Sequence, residues 1–79
     1  MSIKYLLLKL AEEAGEVVVA AIKHRIHKTP GTRDELSKEV GDFLAVVQLL
    51  GEAGGLSPAT VTKQREERYD RERKRARGS

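Results

Sequence analysis

The chain of 79 residues carries 15 Lys and Arg residues against 12 Asp and Glu residues, a net charge of +3, and it contains no Cys. This length predicts one domain with a marginal core, because such a chain buries only about 60–65% of the surface that its unfolded form exposes. Without Cys, neither disulfides nor a Cys-based zinc site can add stability. We therefore expect the marginal core to be stabilised by association between chains.

The sequence pattern also argues against membrane spanning and secretion. No uncharged stretch, residues 43–51 included, approaches the ~20 residues of a membrane span. Acidic Glu12, Glu13 and Glu16 follow the short apolar start of the chain, a pattern unlike that of a signal peptide. We therefore expect a cytoplasmic protein.

The first predicted helix covers residues 3–27. Its apolar side chains recur at the i, i+3, i+4, i+7 spacing of one helical face, from Ile3 to Ala21. A second apolar strip on the neighbouring sector consists of Val18, Val19, Ile22 and Ile26. A helix that is apolar on two faces is expected to have more than one packing partner.

The second predicted helix covers residues 33–52. Residues 28–31 (Lys-Thr-Pro-Gly) should break the first helix, since Pro30 disfavours helical geometry at the residue before it. Residues 32–35 (Thr-Arg-Asp-Glu) match a capping box, in which Thr32 and Glu35 satisfy free amide groups at a helix start. The short connection makes the two helices antiparallel neighbours.

The third predicted helix follows Gly54 and Gly55, with Ser57 as its N-cap and Pro58 as its first residue. Few of its residues are apolar, so its far half is expected to extend into solvent or along another chain. Residues 63–79 hold eight basic and four acidic groups, a net of +4, whereas residues 1–62 hold seven basic and eight acidic groups, a net of −1. A basic end can bind nucleic acid, but a solvated helix end with i,i+4 ion pairs gives the same pattern.

The predicted fold class is all-α: a short helical hairpin plus a third helix, completing a helical bundle by oligomerisation. The expected oligomer is a homodimer or a homotetramer. We divide the chain into a helical domain at residues 1–70 and a basic C-terminal tail at residues 71–79.

Two acidic pairs border the faces that must pack. Glu13 and Glu16 are three residues apart on the first helix, and Glu39 and Asp42 are three apart on the second, so each pair shares one helical face. Two carboxylates ~5 Å apart repel by about 3 kcal/mol at an effective dielectric of ~20. Protons or metal ions must compensate, and oxygen-only ligands suit Mg²⁺ or Mn²⁺. A di-iron site would need Glu-x-x-His pairs, and neither pair ends in His.

These carboxylates also carry a resemblance to a known family. Residues 12–16 (EEAGE) followed by residues 39–42 (EVGD) resemble the EExxE…ExxD signature of the MazG-like, all-α nucleoside triphosphate pyrophosphohydrolases. The resemblance covers about residues 8–69. It implies Mg²⁺-dependent cleavage of a nucleoside triphosphate between its α- and β-phosphates, which gives a monophosphate and pyrophosphate.

Carried over by position, the resemblance implies roles for individual residues. The metal ligands would be Glu13, Glu16, Glu39 and Asp42. Glu12, at the flank of the cluster, would be a catalytic carboxylate that supports the site or orients water.

Basic residues are candidates for binding the triphosphate. Lys23 and His27 fall on the same side of the first helix as Glu16, although a basic helix C-terminus is also favoured by the helix dipole. Lys63 and Arg68 lie in a stretch that resembles the family's Lys/Arg-rich segment, which meets the phosphates.

Two alternatives stay open at this point. Phosphoribosyl-ATP pyrophosphohydrolase of histidine synthesis belongs to the same all-α group and shares the acidic pattern. A non-catalytic helical adaptor could instead bind nucleic acid through residues 63–77, with an affinity that falls steeply with salt and ignores Mg²⁺.

Overall fold

The computed structural model describes residues 2–78, which form three α-helices and no strand. Helix α1 spans Ile3–His27, helix α2 spans Pro30–Glu52 and helix α3 spans Pro58–Gly78. The all-α prediction is confirmed. None of these helices combines the length and the apolar character that crossing a membrane requires.

Helix α1 has the bounds that its periodicity predicts. It begins after Ser2, whose hydroxyl accepts a hydrogen bond from the Tyr5 amide at 3.2 Å. It ends at Lys28, whose backbone adopts the left-handed conformation (φ 50°) while its amide donates to the His24 carbonyl at 2.8 Å. This cap satisfies a carbonyl at the helix end, a position where glycine is the usual residue.

The start of helix α2 differs from the prediction. Thr32 was expected to be the N-cap, but the N-cap is Thr29, and the helix begins at Pro30. The Thr32 amide donates to Thr29 Oγ1 at 3.1 Å, and the Thr29 amide donates to Thr32 Oγ1 at 3.0 Å. Pro30 explains the shift: it keeps Thr29 extended, as predicted, but its own fixed φ suits the first position of a helix.

Helices α1 and α2 pack side by side as the predicted hairpin. The buried residues of the described chain are Leu6 and Ala20 on α1 and Leu50 on α2. At the base of the hairpin, Gly55 packs so closely that a Cβ there would lie 2.7 Å from Leu50 Cδ2. The chain turns back toward Leu50 at Gly54, which has a φ of +82°, a conformation that glycine adopts without strain. The prediction that these glycines end α2 is confirmed.

Helix α3 starts at the base of the hairpin and projects from it. The Ser57 hydroxyl accepts a hydrogen bond from the Thr60 amide at 3.3 Å, in keeping with its predicted role as the N-cap. The cleft that α3 shares with α2 involves only its first turns, through Pro58, Val61 and Arg65. No residue of α3 is buried. The helix runs on past residue 70 to Gly78, and the division of the chain at that point stays a prediction.

One side of the hairpin is uncovered. The Cα positions of the described residues extend over 38 × 28 × 14 Å. The outer strip of α1 is open, with Val18, Ile22 and Ile26 exposed to 57%, 55% and 69%. Stable domains are normally built from at least two packed layers, so this side of the hairpin lacks a covering surface.

Candidate metal centre

The hairpin brings the predicted carboxylates of both helices together. One oxygen from each of Glu12, Glu13 and Glu16 lies within 4.8 Å of the others, and the same holds for Glu13, Glu39 and Asp42. Glu13 belongs to both groups and is therefore the centre of the cluster. The i,i+3 spacing on each helix, together with the packing of α1 on α2, accounts for this convergence.

Two oxygens of the cluster are buried without a partner. Glu13 and Glu39 are half-buried, whereas Glu12, Glu16 and Asp42 are exposed. The Oε2 atoms of Glu13 and Glu39 have no solvent contact and no hydrogen-bond partner. An unsatisfied buried polar atom costs about 1–3 kcal/mol, and more when it is charged. A cation held between the two helices would supply the missing partner.

The pKa values of the same two residues reflect this environment. Burial, followed by the negative charges of Glu16 and Asp42, raises the pKa of Glu13 above the ordinary carboxyl range. The pKa of Glu39 is raised first by a hydrogen bond with Glu16 that forms only when one of the two is protonated, and then by burial. The cluster therefore favours uptake of positive charge, either as a proton or as a metal ion.

The donor set indicates which ions fit. All donors are carboxylate oxygens, the ligands that hard divalent ions such as Mg²⁺, Mn²⁺ and Ca²⁺ prefer. No His or Cys takes part, which removes the usual ligands of structural zinc. The two unpartnered oxygens and the all-oxygen donor set together fit a divalent cation.

An open cleft of about 300 Å³ adjoins the cluster, lined by Glu12, Gly15, Glu16, Val19, Glu35 and Glu39. Glu35 was not among the predicted site residues, although its spacing of four from Glu39 places it on the same face of α2. Lys23, a predicted phosphate-binding residue, forms an ion pair with Glu35 at 3.6 Å. The structure thus places Lys23 at the edge of this acidic cleft.

Lys9 is a second residue that the sequence reasoning missed. Its Nζ lies 3.3 Å from Glu12 Oε2, and the hydrogen bond to Glu12 raises the pKa of Lys9. The i,i+3 spacing of the two residues is the signal that could have identified it. Lys9 keeps a positive charge beside the outermost carboxylate of the cluster.

The other predicted basic residues are not brought to the cleft. His27 is exposed at the end of α1; it is His24 that contacts α2, with Nδ1 2.8 Å from Thr32 Oγ1. Lys63 and Arg68 lie on α3, outside the cleft lining, and Arg68 pairs with Glu72 at 3.1 Å.

Comparison with known proteins finds a relative that covers most of the chain. A phosphoribosyl-ATP pyrophosphatase from Leptospira biflexa serovar Patoc (strain Patoc 1 / ATCC 23582 / Paris) is 36% identical over 64 residues, which cover 81% of this chain and 62% of the relative. The chain thus spans less than two thirds of that relative's length. No solved structure matches the chain.

The family comparison covers more of the chain. The model of the MazG nucleotide pyrophosphohydrolase domain matches residues 1–75, a range that includes all five clustered carboxylates. The resemblance predicted from the sequence is confirmed, and the chain belongs to the MazG nucleotide pyrophosphohydrolase domain family.

Proposed function

We propose that the protein is a divalent-metal-dependent nucleoside triphosphate pyrophosphohydrolase. The reaction adds water across the bond between the α- and β-phosphates, releasing a nucleoside monophosphate and pyrophosphate. One observation carries the proposal: the unpartnered buried oxygens of Glu13 and Glu39 lie in an acidic cluster to which two helices contribute. Family membership and the pyrophosphatase relative support the same reaction class.

Four carboxylates hold the metal in this proposal: Glu13, Glu16, Glu39 and Asp42. Mg²⁺ is the expected ion, and Mn²⁺ is a suitable replacement because it prefers the same oxygen ligands. When bound, the cation would polarise phosphate oxygens and lower the pKa of the attacking water.

Glu12 is the proposed catalytic carboxylate. It is exposed at the mouth of the cluster and lines the open cleft, so both water and substrate can reach it. The ammonium group of Lys9 lies 3.3 Å from Glu12 Oε2 and forms an ion pair with it. Charged Glu12 can orient a water molecule and accept its proton as the water attacks.

Basic residues would bind the phosphates. Lys23 is the best placed of the predicted set, because its ion pair with Glu35 holds it at the cleft edge. Lys23 can exchange this exposed carboxylate for a phosphate oxygen at little cost, since exposed ion pairs contribute only about 0–1 kcal/mol. Lys63, Arg68 and His27 stay in the proposal as phosphate-binding candidates that are not positioned by contacts within this chain.

The functional form is proposed to be a homodimer or a homotetramer. A hairpin with an open apolar strip along α1 is most simply completed by a second copy of the same hairpin. Closed symmetric assemblies of identical chains are the commonest oligomers.

Phosphoribosyl-ATP is the alternative substrate, favoured by the identity of the Leptospira relative. A pyrophosphate-release screen separates the two candidates. It would compare all common NTPs and dNTPs with phosphoribosyl-ATP, each with Mg²⁺ or Mn²⁺. Turnover of several triphosphates supports the general pyrophosphohydrolase, and turnover of phosphoribosyl-ATP alone supports the alternative.

The screen also needs a control for contaminating enzymes. Glu39→Gln removes one carboxylate charge at nearly constant shape, so release that persists in this variant does not come from the proposed site. The adaptor alternative predicts no release in either protein, together with Mg²⁺-independent binding to nucleic acid.

A further inference from the structure

The tip of the hairpin, where α1 passes into α2, carries a cluster of positive charge. A cavity of about 460 Å³ lies there, lined by His24, Arg25, Lys28, Thr29, Pro30 and Arg33. Three of these residues are Arg or Lys, and none is acidic. The start of α2 adds the partial positive charge of a helix N-terminus. The tip thus presents a cationic cavity that the proposed reaction does not use.

The cationic cavity is separate from the acidic cleft. At 100° per residue, Lys28 lies about 180° around α1 from Val19, which lines the cleft. On α2, Arg33 lies about 160° from Glu35, another residue of the cleft lining. The two depressions therefore open on opposite faces of the hairpin, and a molecule bound in one does not occupy the other.

The cations of the cavity receive little compensation from within the chain. Neither Arg25 nor Lys28 forms an ion pair with any described residue. Arg33 pairs with its neighbour Asp34 at 3.6 Å, but both side chains are exposed, so this pair is weak. Like charges around one cavity repel each other, and an anion between them would remove the repulsion.

The backbone beneath the cavity is held in place. Lys28 has a φ of 50°, a left-handed conformation in which glycine is the favoured residue. Its amide donates to the His24 carbonyl at 2.8 Å, and His24 Nδ1 lies 2.8 Å from Thr32 Oγ1. The sequence thus keeps a lysine where glycine would fit with less strain, and that lysine lines the cavity.

The donors and the size of the cavity indicate its ligand. A guanidinium group pairs with phosphate through two parallel hydrogen bonds, and α1 and α2 each contribute one such group, from Arg25 and Arg33. The volume lies in the range of small-molecule sites, roughly 300–1,000 Å³. The lining cations all lie at one end of the hairpin, so they do not form the extended track that a nucleic-acid backbone follows.

We propose that the hairpin tip binds a phosphorylated small molecule of nucleotide size. Arg25 and Arg33 hold its phosphate groups from the two helices, Lys28 adds a third positive charge, and the ring of Pro30 contacts the rest of the ligand. The site binds its ligand without metal, because no carboxylate lines the cavity. The proposal does not rest on the function proposed for the acidic cleft.

Titration with ADP in EDTA tests the site, because the acidic cleft repels phosphate groups when no cation is present. In NMR spectra of isotope-labelled protein, ADP should shift the amide resonances of residues 24–33 until they saturate, whereas adenosine, which has no phosphate, should not. ADP should also raise the melting temperature, since only the folded hairpin brings the two arginines together. Shifts confined to the acidic cleft or to α3 would overturn the proposal.

Charge variants separate a defined site from general attraction of anions. Arg25→Gln/Arg33→Gln should weaken ADP binding roughly ten-fold or more, since charge-assisted hydrogen bonds are lost. Lys4→Gln/Lys38→Gln removes the same charge from exposed residues outside the cavity, and its affinity should stay close to that of the wild type. Equal losses in the two variants would show that ADP responds only to net charge, against the proposal. Tighter binding of a single-stranded oligonucleotide at the tip would also contradict it, in favour of nucleic acid.

Lys28→Gly distinguishes loss of binding from loss of folding. Because glycine suits the φ of 50° at this position, the variant should melt at the same temperature as the wild type or higher, yet bind ADP several-fold more weakly. Lys28→Arg keeps the positive charge and should keep the affinity. Wild-type affinity in a folded Lys28→Gly protein would overturn the proposed site.

Discussion

A carboxylate oxygen of Glu13 lies within 4.8 Å of one from Glu39 across the α1–α2 interface, and each residue holds a buried Oε2 atom with no hydrogen-bond partner. The two helices of a small domain thus meet at a point of mutual repulsion. The arrangement costs stability in the absence of a cation, and the same cost favours metal binding. Several measurable consequences depend on this relationship.

Glu39→Gln separates a metal site from a structural ion pair. In EDTA the variant should unfold at the same temperature as the wild type or higher, since the repulsive charge of Glu39 is gone. Saturating Mg²⁺ stabilises the wild type by about 2.7 kcal/mol at 100 times Kd, and the variant should gain much less. Turnover should fall by roughly two or more orders of magnitude, as expected when a charge-stabilising group is lost.

Thermal unfolding with and without millimolar Mg²⁺, together with titration calorimetry, measures these effects. Glu52→Gln at the end of α2 removes the same charge outside the cleft and is expected to change neither metal binding nor turnover. A Glu39→Gln protein that melts lower in EDTA and still hydrolyses dNTPs would refute the metal site.

The stability of the metal-free protein should depend on pH with an unusual sign. The pKa values of Glu13 and Glu39 are raised in the folded state, so the folded protein binds more protons than the unfolded chain between the ordinary carboxyl pKa and the raised values. The free energy of unfolding therefore falls as pH rises through this window. Mg²⁺ should abolish the loss at neutral pH by replacing the proton.

Urea unfolding at a series of pH values in EDTA measures this effect. The difference between the wild type and Glu39→Gln isolates the contribution of Glu39 from that of the other carboxylates. A difference that grows in favour of the wild type as pH rises would contradict the prediction.

Gly15→Ala should separate stability from activity. A Cβ at Gly15 would meet no atom within 4 Å beyond the neighbouring backbone of its own helix, and Ala in place of Gly within a helix stabilises by roughly 0.5–1 kcal/mol. Gly15 lines the cleft, however, so the added methyl group takes space from the substrate. We expect a higher melting temperature and a KM raised several-fold.

Gly41→Ala is the matched control for Gly15→Ala. Gly41 is also a helical glycine with free space around its Cβ position, but it does not line the cleft. It should give the gain in stability without the change in KM. Equal kinetic behaviour of the two variants would show that the cleft does not bind substrate.

Ile22→Glu tests the open strip of α1. At 55% exposure within one chain, this substitution would cost an isolated monomer little. In an assembly that covers the strip, a buried unpaired charge costs several kcal/mol, so sedimentation should show a dimer or tetramer for the wild type and dissociation for the variant. A wild type that sediments as a folded monomer would contradict this prediction.

The sequence predicted some elements of the fold and of the candidate site better than others. Apolar periodicity predicted the bounds of α1. The i,i+3 acidic pairs predicted the cluster, because the short connection makes α1 and α2 antiparallel neighbours and helical geometry then places the two pairs at their interface. The predicted start of α2 was wrong, because a proline can either follow the end of one helix or begin the next. Which of the two happens at Pro30 depends on the reciprocal hydrogen bonds of the capping box formed by Thr29 and Thr32.

Other features depend on contacts that periodicity does not encode. Lys9 and Glu35 reach the site through ion pairs with Glu12 and Lys23. The i,i+3 spacing of Lys9 and Glu12 is compatible with their pair, but the pair between Lys23 and Glu35 joins two helices and has no signal in the spacing of either one. The direction of α3 was not predictable either, because a helix without an apolar stripe has no preferred packing face in its own chain.

The tight connection between α1 and α2 has a consequence for the chemistry far away from it. Only Lys28 and Thr29 separate the two helices, and the hydrogen bond between His24 and Thr32 joins their ends. The connection therefore sets how far α2 is displaced along α1, and hence which carboxylates stand opposite each other about 15 Å away. A residue inserted within a helix, between the connection and the carboxylates, would turn those carboxylates by about 100° around the helix axis. The hairpin tip therefore determines the relative positions of the clustered carboxylates. A change in its length is expected to alter the proposed metal site without replacing any of its ligands.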